Sequence, residues 1–235
     1  MRKTILSIFL VLVLFSISWA GMVIGSGVAS SGSSYLVEQN FEGTGYDNSE
    51  TWTETGSGTM NEDYTTTVLA GSQSLYVSAS SQAPLISHTF SSTQTEVWGY
   101  FLFRPVSTIA TGKEIITIKD ASGNSSYTIE WVSTGKWIVR INGSGASSYT
   151  TNAMSEGTTY HCWWHVKNGN GTAVCSFGFG TTGTEVTSGD GFVSKTNGTE
   201  EDNLATVCIG WAGNATATFI TDKFLCSATG TLGNQ

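Results

Sequence analysis

From Tyr160 to Phe179 the chain reads YHCWWHVKNGNGTAVCSFGF, two runs of alternating side-chain character either side of Asn168-Gly169. A period of two sends successive side chains to opposite faces of a strand, and Asn-Gly supplies the positive φ angles of a tight hairpin turn. The segment therefore predicts a twisted β-hairpin. With Asn168 and Gly169 as the two turn residues, positions whose numbers add to 337 face each other, and Cys162 falls opposite Cys175. His161, Trp163 and His165 then share one face, and Cys162, Trp164 and Val166 share the opposite, core-facing one.

The same alternation recurs along the chain. In Val97–Arg104, Val97, Phe101 and Phe103 share a core face with Gly99, while Trp98, Tyr100, Leu102 and Arg104 share a face suited to a partly solvated groove. Tyr127–Val132 and Lys136–Ile141 flank Ser133-Thr134-Gly135, a three-residue loop with glycine at the left-handed position. Positions adding to 268 then pair, setting Trp131 opposite Trp137 and Glu130 diagonal to Arg140. Thr206–Trp211 and Thr218–Ser227 close the pattern. Both prolines, Pro84 and Pro105, fall near strand ends, where a missing N–H does least harm. Many short strands divided by Gly, Asn and Ser turns predict an all-β fold, a two-sheet antiparallel sandwich or jelly roll.

The N-terminus has the three regions of a secretory signal: Met1-Arg2-Lys3, an apolar run over Ile5–Ile17, and Ser18-Trp19-Ala20 before Gly21. Cleavage after Ala20 is expected; the alternative is a retained anchor. Residues 1–20 are thus assigned as a signal peptide, 21–34 as a flexible linker rich in Gly and Ser, and 35–235 as one large domain. Cleavage removes two of the ten basic residues and leaves all 18 acidic ones. So acidic a secreted chain disfavours nucleic acid and anionic membrane as partners.

Export also favours disulfides among the four cysteines. The hairpin register pairs Cys162 with Cys175 and leaves Cys208 with Cys226; four buried thiols are the alternative. A zinc site built on His161, Cys162, His165 and Cys175 fails on geometry, because strand positions four apart stand about 13 Å from each other, far beyond a shared ion. Glycosidase chemistry needs two neighbouring carboxylates, and the one close pair of equal parity, Glu200 and Asp202, sits in a polar loop. Nucleophile-elbow, zincin, Walker and dinucleotide motifs are absent from the sequence.

Taken in order, Asn40-Phe41-Glu42-Gly43, Gly71-Ser72-Gln73-Ser74-Leu75, Val97-Trp98-Gly99-Tyr100-Phe101, Tyr160-His161 through Trp164-His165-Val166, and Ile220-Thr221-Asp222-Lys223 with Gly230-Thr231-Leu232-Gly233 resemble the concanavalin A-like lectin/glucanase superfamily, in particular its laminin G-like jelly rolls. The resemblance covers Tyr35 to Gly233. It implies two antiparallel sheets, glycan or protein binding, and in some members polysaccharide hydrolysis or lysis. The Glu-x-Asp-x-Glu strand of lichenase-like hydrolases and the Gln-x-His pattern of alginate lyase-like relatives are missing here. The resemblance also implies a structural calcium held by Asp222, with Glu42 as its N-terminal counterpart.

These features predict a secreted, non-catalytic, lectin-like module that binds a polysaccharide or cell-surface glycan through Trp98, Tyr100, Arg104, His161, Trp163 and His165. One alternative is a lyase or hydrolase with an atypical site, in which Arg104 or Arg140 neutralises a uronate and His161 or Tyr100 acts as base. The other is an extracellular structural protein that self-assembles along a sheet edge.

Overall fold

The computed structural model describes residues 35–232 apart from 44, 47–50, 80–82, 108, 214–215 and 231. The expected leader and linker lie outside the described residues.

In chain order the strands are β1 (Tyr35–Gln39), β2 (Trp52–Thr55), β3 (Thr59–Tyr64), β4 (Ser74–Ala79), β5 (Ala83–Gln94), β6 (Glu96–Ser107), β7 (Lys113–Asp120) and β8 (Ser125–Val132). They continue with β9 (Lys136–Ile141), β10 (Ser144–Gly145), β11 (Tyr160–Lys167), β12 (Gly169–Gly180), β13 (Phe192–Glu200), β14 (Leu204–Gly213) and β15 (Ala217–Ser227). Every pairing is antiparallel. The first sheet runs β13-β12-β11-β6-β15-β4-β3 with β1 also on β15, and the second runs β10-β9-β8-β7-β14-β5-β2. Phe103 and Phe177 of the first sheet lie 5.4 and 4.6 Å, centroid to centroid, from Trp137 of the second, so the two inner faces close on one aromatic core. The predicted all-β, two-sheet sandwich is the observed fold.

Strand parity sorts the side chains as expected. Val97, Phe101 and Phe103 enter the inter-sheet core together with Cys162, Trp164 and Val166. Trp98, Tyr100, Leu102 and Trp163 lie on the outer face, in a second apolar cluster with Leu225 and Leu232. Adjacent Trp163 and Trp164 therefore occupy separate clusters. The β8–β9 hairpin keeps the predicted register from Tyr127↔Ile141 to Val132↔Lys136, and Gly135 takes the left-handed φ of 79°. Arg140 Nε donates to Glu130 Oε1 on the outer face of that second sheet.

The β11–β12 register differs from expectation. Cys162 pairs with Phe179, and Cys175 pairs with Val166, so the matching numbers add to 341. Asn168 is drawn out of the turn by tertiary contacts: its backbone N–H donates to Thr95 O (2.9 Å), its Nδ2 to Asp202 O (2.6 Å), and its Oδ1 accepts from Tyr127 Oη (2.9 Å). The chain reverses further on, where Gly171 has a φ of 66°. Because the slip is an even number of residues, every side chain keeps its face.

That slip removes the expected Cys162–Cys175 bridge. Cys208 and Cys226 lie in different sheets, and Cys208 alternates with the core-facing Val207 and Ile209, so the expected Cys208–Cys226 bridge is absent as well. All four cysteines are buried free thiols. Burial pushes the Cys162 and Cys175 thiols well up, and raises that of Cys208 to about 11.

The last strand contains a break in parity. Asp222 pairs with Leu102 and Leu225 with Tyr100, so three steps on β15 match two on β6. This is a β-bulge, and Lys223 within it takes a φ of 48°. Asp222 and Leu225 thereby face outward together, while Phe219, Phe224 and Cys226 stay in the core.

Candidate functional site

The outer face of the first sheet carries a ladder of paired side chains. Antiparallel pairing of β6 with β11 sets Trp98 opposite His165, Tyr100 opposite Trp163, and Leu102 opposite His161. Cross-strand neighbours on one face approach closely enough for ring contact. Trp98 and His165 stack with centroids 4.7 Å apart and planes 11° from parallel. Tyr100 lies 5.5 Å from Trp163, and Trp163 lies 5.9 Å from His161 at 16°.

The two ends of this ladder have different chemistry. At one end His165 Nε2 is 2.9 Å from Glu96 Oε1, and Lys167 Nζ is 3.4 Å from Glu96 Oε2. Glu96 thus fixes the imidazole that supports Trp98. In the middle, Tyr100 is fully buried and its hydroxyl lies 2.7 Å from His161 Nδ1. Burial raises the Tyr100 phenol pKa, so the phenol keeps its proton; burial and then the Lys223 charge lower that of His161. A protonated phenol and an imidazole biased towards its neutral form therefore share this hydrogen bond.

Trp98, Trp163 and His165 line an open pocket of about 270 Å³, together with Ser176, Glu185 and Phe192. Trp163 is 2% exposed, and its indole N–H is buried without a hydrogen-bond partner. A buried donor left unpaired costs about 1–3 kcal/mol, and the indole N–H of Trp164, which also lines this pocket, is in the same state.

The structure brings together five of the six predicted ligand-contact residues, Trp98, Tyr100, His161, Trp163 and His165. Arg104 shares the face but lies beyond Leu102, within 3.4 Å of Thr159 Oγ1. Arg140 belongs to the other sheet and cannot meet His161. Glu200 Oε1 accepts from the Asp202 backbone N–H at 2.9 Å, which makes that pair a turn lock. Glu96, Ser176 and Glu185 were not singled out from sequence. Glu96 has the parity of Trp98 and was findable; Glu185 lies between β12 and β13 and carries no periodic signal.

A second pocket of about 290 Å³ is lined by Asn40, Glu42, Ala70, Gly71, Asp222 and Lys223. Asp222 accepts from the Ala70 N–H (2.9 Å), Ser74 Oγ (2.8 Å) and the Lys223 N–H (2.7 Å). Its carboxyl is fully buried, and burial lifts its pKa to about 6, with the Glu42 charge adding to the rise. The hydroxyl and then the backbone N–H of Ser72 hold Glu42 below the usual carboxylate range. Among the described residues no group of three or more His, Cys, Asp or Glu side chains forms a metal cage. The two carboxylates at this pocket are hard oxygen donors of the type calcium takes, and the donors that meet the buried charge of Asp222 are neutral.

No protein-family model and no curated protein matches the sequence. Among solved structures the chain is similar to a cellulose induced protein, Cip1, with a TM-score of 0.57 and 13% identity over 82% of this chain and 97% of that one. It is also similar to the marine PL-14 alginate lyase from Aplysia kurodai, with a TM-score of 0.52 and 6% identity over 72% and 86% of the two chains. A third similar structure concerns botulinum neurotoxin type C, whose cell entry depends on interaction with two ganglioside molecules; its TM-score is 0.53 and its identity 11%, over 86% of this chain and 50% of that one. At these identities the likeness is one of architecture: the chain is built as a concanavalin A-like jelly-roll sandwich.

Proposed function

We propose that the protein is a secreted carbohydrate-recognition module that seats a saccharide in the pocket beside Trp98 and His165. The observation that carries this reading is the buried, unpartnered indole N–H of Trp163 in the wall of that pocket. Sugar rings present apolar faces to aromatic surfaces and hydroxyl oxygens to N–H donors, and the pocket offers both. Tyr100 is enclosed, so its part is to hold His161 and Trp163 in place. The alginate lyase and the ganglioside-dependent toxin among the similar structures are sugar-directed proteins, which supports the same reading. The N-terminal signal pattern supports export. Isothermal titration against a panel of soluble oligosaccharides tests the proposal: saturable binding is expected, and no heat above dilution with any sugar would end it.

A structural calcium ion in the pocket of Asp222 and Glu42 belongs to this proposal. It would tie the segment after β1 to the last strand, since those two carboxylates are remote in sequence and line one pocket. A rise in melting temperature on adding calcium, reversed by chelator, is the expected sign.

A lyase reading rests on the hydrogen bond between Tyr100 and His161. Appearance of unsaturated ends in uronate polymers, lost in His161→Ala, would support it over pure binding.

A further inference from the structure

Glu185, which lines the Trp98 pocket, is exposed, and Glu96 stands behind the stacked His165. Ser176 and Thr187 add hydroxyl groups, and no lysine or arginine is among the described residues that line the pocket. Lys167 is turned to Glu96, 3.4 Å away, where its charge is already met. The whole chain carries a formal charge of −8.

From this charge pattern, and resting on the carbohydrate reading above, we propose that the pocket selects pyranoses without negative charge, neutral or amino sugars, and rejects uronates and sialic acids, with Glu185 as the specificity-determining residue. A sugar carboxylate brought into this pocket meets a like charge and no cation, and like-charge contact is how binding sites reject the wrong partner. A neutral ring meets Trp98 and Phe192 as apolar surface and Trp163 N–H as donor. An amino sugar gains in addition the attraction of its ammonium group to Glu185. The pocket volume, about 270 Å³, lies near the lower end of small-ligand sites (about 300–1,000 Å³), which suits one or two sugar rings.

The test is isothermal titration of the full domain with four probes: cellotetraose, a glucosamine tetramer, a mannuronate tetramer and sialyllactose. Wild-type protein is expected to bind the first two at least tenfold more tightly than the last two. Glu185→Gln is expected to remove the advantage of the glucosamine tetramer over cellotetraose. Glu185→Lys is expected to improve mannuronate binding by about tenfold; Glu185 is exposed, so both variants are expected to fold, and their melting curves check this. Equal or tighter binding of the anionic probes by wild type, or an unchanged ranking in Glu185→Lys, overturns the selectivity while leaving sugar recognition standing. Absence of binding by all four probes overturns the selectivity, and the carbohydrate reading falls with it only when the wider oligosaccharide panel is silent too.

Discussion

Trp98 and His165, brought opposite each other by the pairing of β6 with β11, lie face to face with ring centroids 4.7 Å apart. Glu96 braces the imidazole from behind. Trp98 is thus held in a fixed orientation before any ligand arrives, and fixing a contact residue in advance lowers the entropy cost of binding.

Trp98→Ala removes this stacked surface. Aromatic contacts are worth about 0.5–1.5 kcal/mol beyond their buried area, so sugar affinity should fall by about tenfold or more. Trp98 is half-buried, so the fold should persist, and circular dichroism with titration calorimetry separates the two effects.

Trp163→Phe keeps an aromatic ring but deletes the indole N–H. In the free protein that N–H is buried and unpaired, so relief of its desolvation offsets much of the lost volume. Expected is a melting shift of less than about 4 °C, roughly 1 kcal/mol for a domain of this size. Sugar affinity should nevertheless drop by about tenfold. A large loss of stability with unchanged affinity would show that the N–H plays no part in recognition.

Asp222 makes stability depend on pH. Its folded pKa, about 6, is above that of an unfolded aspartate, so the folded state binds the proton more tightly between pH 4 and 6. In chelator, stability should therefore decline as pH rises through this window, by up to about 3 kcal/mol, and level off above it. Calcium should abolish the decline, because the ion favours the charged carboxylate. Asp222→Asn should flatten the profile and remove the calcium response together, as read from melting temperature between pH 4 and 7.

Gly99→Ala should be severely destabilising. An added Cβ would lie 1.8 Å from the Trp164 ring, which packs over Gly99 in the inter-sheet core. Overpacking of a filled core costs about 1–3 kcal/mol and sometimes more, and urea denaturation measures it.

The fold was legible where local rules act alone. The β8–β9 hairpin carries its glycine at the position its loop needs, and its register follows number by number. The β11–β12 turn was misread because Asn168 serves Tyr127, Thr95 and Asp202, partners remote in sequence that no local pattern displays. The Cys162–Cys175 bridge fell with that register, and the Cys208–Cys226 bridge with the division of those strands between the two sheets. At the site, parity revealed which residues share the outer face. The enclosure of Tyr100 was not legible, since it belongs to a cluster completed by Leu225 and Leu232, from the last strand and beyond it. Glu185 was missed for the same reason: a loop between strands has no period to read.

The bulge at Lys223 makes β15 a strand of two halves with opposite addressing. Upstream, odd-numbered positions feed the interior; downstream, even-numbered ones do. Regular pairing with every residue kept would force a choice between Asp222 on the exterior and Phe224 in the interior, two positions of equal parity. Lys223 therefore works as a phase shifter: one residue lets an outward carboxylate and an inward ring stand two places apart in the same strand.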